Sequence, residues 1–234
     1  MAPVRIPASP IAAPLFALMA ALPLACAAAP FSVRLGIERI ALDSPPGFGD
    51  TTELASPRLQ ALSETLTPAS NRILLFALSD ADVRSFEQGG QLDAKRYMIA
   101  VTPRGLEQVR VLPAQFTGLV ADSLQDLGKP VDAGNDLIKF LASKPIGATF
   151  LVEELQKEPT AFSIMQATRL PDKPGENFWS KATPQYLCFT TTLFLVRGKA
   201  LQLKVFTLYE SAADADWLKT ITKRWQDELI RLNR

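Results

Sequence analysis

The chain has 234 residues, with 25 Lys+Arg against 24 Asp+Glu, no His, two Cys and 47% apolar residues. This composition excludes disorder, collagen-like repeats and a disulfide scaffold. The missing histidine excludes Ser-His-Asp and Cys-His nucleophiles, HExxH zinc sites and His/Cys metal clusters. An enzyme would be left with a carboxylate pair, a Ser-Lys dyad or an oxygen-only cation site, none of which has a distinctive spacing here.

Met1 to Ala29 reads as a secretory leader. Arg5 is its only charge, Ile11 to Leu24 is apolar but broken by Pro14 and Pro23, and small residues crowd from Ala25 to Ala29. Ala25-Cys26-Ala27 fits a cleavage site, which gives a signal peptide over 1–27 and a remaining chain of zero formal charge. A neutral domain has no long-range field to hold a polyanion, so nucleic acid is not an expected partner. The alternative is lipidation at Cys26, although the position three residues before it holds Pro23 rather than Leu. A membrane enters as partner only on that reading. Cleavage leaves Cys188 alone in the apolar run Tyr186 to Thr190, as a buried small hydrophobe.

A single domain is expected over 31–234. Ile37 to Leu42 is β-branched and predicts the first strand; Ser44 to Asp50 is turn-rich. Ser56-Pro57 opens a helix, with Ser as cap, Pro at the first turn, and Leu59, Leu62 and Leu66 at helical spacing. Arg72 to Leu78 predicts a buried strand. Ser79 and Asp82 predict a capped short helix ending near Gly89-Gly90, and Arg96 to Thr102 another strand. From Leu112, the residues Phe116, Leu119, Val120, Leu124 and Leu127 mark one helical face behind Pro113, stopped by Gly128-Lys129-Pro130. A short helix over 136–142 follows. Ala148 to Glu153 and Thr160 to Leu170 predict strands, with a charged loop from Pro171 to Ala182.

Gln185 to Val196 and Ala200 to Tyr209 predict a long hairpin turning at Arg197-Gly198-Lys199. A last helix, about Ala213 to Leu232, sets Trp217, Ile221, Trp225, Leu229 and Leu232 on one side, to lie across the hairpin's apolar face. The fold class is therefore α+β, an antiparallel sheet packed on helices, with a long C-terminal hairpin and a closing amphipathic helix.

The run Ile37 to Phe48, and Thr192 to Tyr209 with the helix after it, give an order that resembles the PsbP-like α/β sandwich, including bacterial envelope proteins similar to DcrB. That resemblance implies an exported, non-catalytic periplasmic binding or accessory protein of the cell envelope. Its partner would be an envelope protein or peptide, and no cofactor is expected. The alternatives are a lipid-anchored envelope protein through Cys26 and a His-free carboxylate hydrolase.

Candidate sites are few. Phe48 in its turn, and Phe178-Trp179 in an otherwise polar loop, are candidate partner contacts, because aromatics supply large contact area at low entropy cost. Gly47 to Thr52 lacks the ending of a phosphate loop and reads as a turn. Glu153, Glu154, Glu158 and Asp172 read as a solvated acidic surface, since nothing fixes the carboxylate separation that glycoside chemistry requires. Ser79 or Ser85 with Lys95 is the available Ser-Lys pairing. Lys95-Arg96, and Arg104 with Arg110, read as solvated strand and loop ends, with a weak site for anionic lipid or a peptide carboxylate as the alternative.

Overall fold

A computed structural model describes residues 30–125, 127–131, 136–174 and 183–234. Among the described residues, nine strands run in chain order as β1 (Phe31–Leu35), β2 (Glu38–Leu42), β3 (Phe48–Asp50), β4 (Asn71–Ser79), β5 (Arg96–Pro103), β6 (Thr149–Glu158), β7 (Ala161–Lys173), β8 (Thr183–Val196) and β9 (Lys199–Leu208). The helices are α1 (Pro57–Thr65), α2 (Asp80–Glu87), α3 (Pro113–Leu124), α4 (Leu137–Ala142) and α5 (Ala212–Leu232). Strands β1 and β2 form a separate ribbon. The other seven make an antiparallel sheet in the order β3-β4-β5-β9-β8-β7-β6.

The β8–β9 hairpin is the spine of this sheet. Its two-residue turn places Arg197 at φ 51° and Gly198 at φ 77°, positive values that suit the right-handed twist of the flanking strands. On one face, Leu201, Leu203 and Val205 of β9 meet Leu218, Ile221, Trp225 and Leu229 of α5. The β1–β2 ribbon (Leu35, Ile40, Leu42) and α4 (Leu137, Leu141) complete that layer. The predicted closing helix over the hairpin is thus present.

A buried polar seam sets its position. The Gln226 amide donates to Thr192 Oγ1 at 2.9 Å, Thr192 shares a hydrogen bond with Ser163, and Thr190 shares one with Thr222 at 2.6 Å. Sliding α5 would break these bonds and leave their polar groups buried without partners.

The opposite face is covered too. Leu59 of α1 packs with Phe76, Leu78, Ile99, Val101 and Phe206. Phe116 of α3 packs with Val111 and Ala200, and Val120 with Leu124 also reach Leu151, Phe162 and Ile164. The result is three layers, helices and ribbon on one side of the sheet and helices on the other, which buries apolar residues on both sheet faces.

The first predicted strand is corrected. Ile37 lies in the β1–β2 turn after Gly36 (φ 59°) and is 88% exposed; the strand before it, Phe31–Leu35, was not expected. The turn-rich stretch after it contains β3. The Ser56 cap is as expected, its Oγ accepting from Leu59 N–H, and Asp136 caps α4 by accepting from Lys139 N–H. No helix among the described residues is long and apolar enough to cross a membrane.

Candidate functional site

A cleft follows from an incomplete sheet edge. Strand β3 pairs with β4 only from Ala77 to Ser79, and β5 occupies the other side. One residue further, Thr51 closes the edge by donating both its N–H and its Oγ1 to Phe76 O, each at 2.8 Å. Among the described residues, no strand lies on the outer side of β4 from Asn71 to Leu75. A bulge between Ile73 and Leu75 turns this stretch and adds Leu74 to the core side.

The segment Thr51 to Pro57 and the Gln60, Ser63 and Glu64 side of α1 wall the opening, while Arg72 and Arg104 stand at its mouth. The volume is about 660 Å³, within the range of small-ligand and peptide sites. Several polar groups of the walls are already bonded to each other. Ser63 Oγ donates to Gln60 O, the Gln60 amide to Glu64 at 2.9 Å, and the Asn71 amide to Thr67 Oγ1. Arg72 pairs with Glu107 at 3.0 Å, and Arg104 donates its Nε–H to Ala69 O. Sequence reasoning missed this cleft, because strand length and helix position together create it.

A second cleft, about 550 Å³, opens at the other end of β4 among Ser79, Asp82, Ser85, Asp93, Lys95, Arg96, Glu210 and Asp214. It does bring the Ser-Lys candidates to one place. Their hydroxyls are committed elsewhere: Ser79 Oγ donates to Asp82 Oδ2 at 2.7 Å and accepts from Asp82 N–H, while Ser85 Oγ donates to Gln91 O. Lys95 faces Glu210 at 3.7 Å. Arg96 reaches Asp214 at 3.1 Å and lies 4.1 Å over the Trp217 ring. These are structural pairings, with no hydroxyl aligned for attack.

Burial pushes the Asp214 carboxyl upward, but hydrogen bonds from Glu210 N–H, Arg96 and Ser211 outweigh it and hold the group below the usual carboxylate range. Asp43 is raised, first by burial and then by the Glu228 charge, against the Ser44 N–H bond. Burial, with the Asp214 charge behind it, pushes the Cys188 thiol up to about 12, so it stays a protonated core group. Burial also lowers Lys204, which has no carboxylate within ion-pair distance among the described residues.

The remaining candidates fall apart spatially or chemically. Phe48 is 8% exposed in β3, its ring 6.1 Å from that of Trp217, which leaves it little surface to offer a partner. Phe178, Trp179 and Cys26, with the whole expected leader, lie outside the described residues. Glu153 pairs with Lys219, and Asp172 with Arg169 at 3.3 Å. Among the described residues no group of three or more Cys, Asp or Glu side chains is placed to hold a metal ion.

No protein-family model matches the chain, and no curated protein matches it. Solved structures similar to it include the Saccharomyces cerevisiae Ran-binding protein Mog1p, at 15% identity and a TM-score of 0.39, covering 87% of this chain and 94% of that one. A variant of protein Mog1 is similar at 16% identity and a TM-score of 0.38, with the same coverage. Those values are too low to carry a function across. They do correct the resemblance read from element order: the similar structures are Mog1 proteins rather than PsbP or DcrB proteins, and the periplasmic envelope role inferred from that resemblance falls with it.

Proposed function

We propose that this chain is a protein-recognition domain without catalysis of its own, which takes an extended peptide into the cleft between α1 and the open edge of β4. The observation that carries this is the unfinished edge: Asn71 to Leu75 has a strand on one side and a cleft on the other. Five residues of edge span roughly 17 Å, enough for a short added strand. The Arg104 guanidinium, which lines the cleft and is not paired with a carboxylate among the described residues, favours a peptide carrying a carboxylate at that end.

Peptides selected from a random displayed library against the full chain test this. The expected binders protect from hydrogen exchange those amides between Arg72 and Leu75 that point away from β5; Asn71 N–H is already bonded to Pro68 O. They also lose about tenfold in affinity on Arg104→Glu, roughly 1.4 kcal/mol. Gln60→Trp, which fills the cleft from the exposed side of α1, is expected to block them. Binders that ignore Gln60→Trp and protect other strands would sink the reading. We also propose that residues 1–27 direct export. A native chain starting at Ala28 by mass spectrometry supports this, and one that keeps Met1 overturns it.

A further inference from the structure

The end of the molecule that carries the β1–β2 and β8–β9 turns is basic and apolar at once. Ile37 at the tip of the first turn is 88% exposed, Val109 in the following loop region 45%, and Leu112, just ahead of α3, 55%. The Gly36 turn abuts Glu107 and Gln108, so Ile37 and the loop bearing Val109 stand together. This loop is pinned in place. The ammonium of Lys199, itself 3% exposed, donates to Glu107 O at 2.9 Å and to Val109 O at 2.8 Å, and Val111 N–H reaches Gly198 O.

Around these side chains sit Arg34, Arg39, Arg110 and Arg197, all exposed. Arg34 donates to Gly36 O and Arg197 to Arg39 O, which ties the cations to the two turns. The carboxylates that touch this cluster are Glu38, paired with Arg110 at 3.8 Å, and Glu107, paired with Arg72. Arg34, Arg39 and Arg197 have no carboxylate partner among the described residues.

We propose that this end docks on an anionic bilayer surface, with Ile37 and Val109 entering the headgroup layer and the arginines on lipid phosphates. The positive rim selects a negative surface. The aliphatic groups project from a turn and a loop instead of lining a groove, a shape that suits penetration of a soft interface better than insertion into a rigid partner. Because the hydrogen bonds from Lys199 and Val111 already hold the loop backbone, less ordering entropy opposes the contact. The proposal is independent of the peptide cleft, which uses neither Ile37 nor Val109.

Co-sedimentation of the full chain with vesicles of phosphatidylglycerol and phosphatidylcholine in a one-to-three ratio tests it. Binding is expected to these vesicles and not to pure phosphatidylcholine. It should fade as salt rises from about 0.1 M to about 1 M and the screening length falls from about 10 Å to about 3 Å. Ile37→Asp should weaken partitioning by about tenfold or more, and Arg34→Gln with Arg39→Gln by a similar factor, with thermal melting unchanged in each. Wild-type protein left in the supernatant overturns the proposal, as does vesicle binding that is insensitive to Ile37→Asp. Equal, Ile37-dependent binding to soluble polyglutamate also overturns it, in favour of an acidic protein partner.

Discussion

Trp225 is the side chain through which α5, the sheet and the chain after β2 meet. It is 1% exposed, and its indole N–H donates to Asp43 O at 2.8 Å. Trp225→Ala removes a large buried ring and orphans that carbonyl. The expected loss is about 3–5 kcal/mol, or roughly 6–20 °C in melting temperature for a chain of this size. Cys188 makes a different kind of prediction. The folded thiol is raised to about 12, while an unfolded one titrates near 8.5. The native state therefore keeps a proton that the unfolded state gives up, and stability falls as pH rises above about 8.5. Thiol reagents should leave Cys188 unlabelled at pH 7.5 until denaturant is added. Between about pH 8.5 and 10 the melting temperature of Cys188→Ala should decline less steeply than that of the wild type. Rapid labelling of the native protein would contradict the burial on which both expectations rest.

At the scale of elements, the start of α5 depends on one carboxylate. Asp214 accepts from the N–H groups of Glu210 and Ser211 and from Arg96, while Ser211 completes the capping box. Its folded pKa lies below the ordinary value, so the stabilisation is fully present above about pH 4 to 5 and is lost as pH falls through the lowered value. Asp214→Ala should cost about 1–2 kcal/mol at neutral pH and flatten the acid limb of a melting-temperature profile. This cap was half visible in the chain: Asp214 could be placed on the helix dipole, but Arg96 is 118 residues away and only the sheet brings it there. Ile37 shows the opposite failure. It continues a β-branched run into Leu42, so nothing local separates a turn residue from a strand, and the preceding Gly36 is the single cue. The face of α3 was readable from its spacing, yet only Phe116 is buried, because the helix rests on the sheet along a narrow contact. The candidate cleft was not readable at all. It exists because β3 is three residues long against nine in β4, a mismatch set by tertiary pairing.

At the scale of the molecule, a shared sheet joins two helical layers that do not touch each other's cores. Leu203 and Val205 face α5 while Phe206, next along the same strand, faces the α1 side. Loosening either layer therefore exposes one side of β9 and weakens the pairing that holds the other. We propose that residues 31–234 unfold as one cooperative unit, and two variants on opposite faces test it. Phe116→Ala on the α3 face should cost about 3–5 kcal/mol, as should Trp225→Ala on the α5 face. In both, far-UV circular dichroism and tryptophan fluorescence should report the same lowered midpoint, since Trp217, and Trp225 where it is kept, pack in the α5-side core that Phe116 does not touch. An early circular-dichroism transition in Phe116→Ala, with the tryptophan signal still native, would mean that the α3 layer melts alone and that the sheet does not couple the two faces.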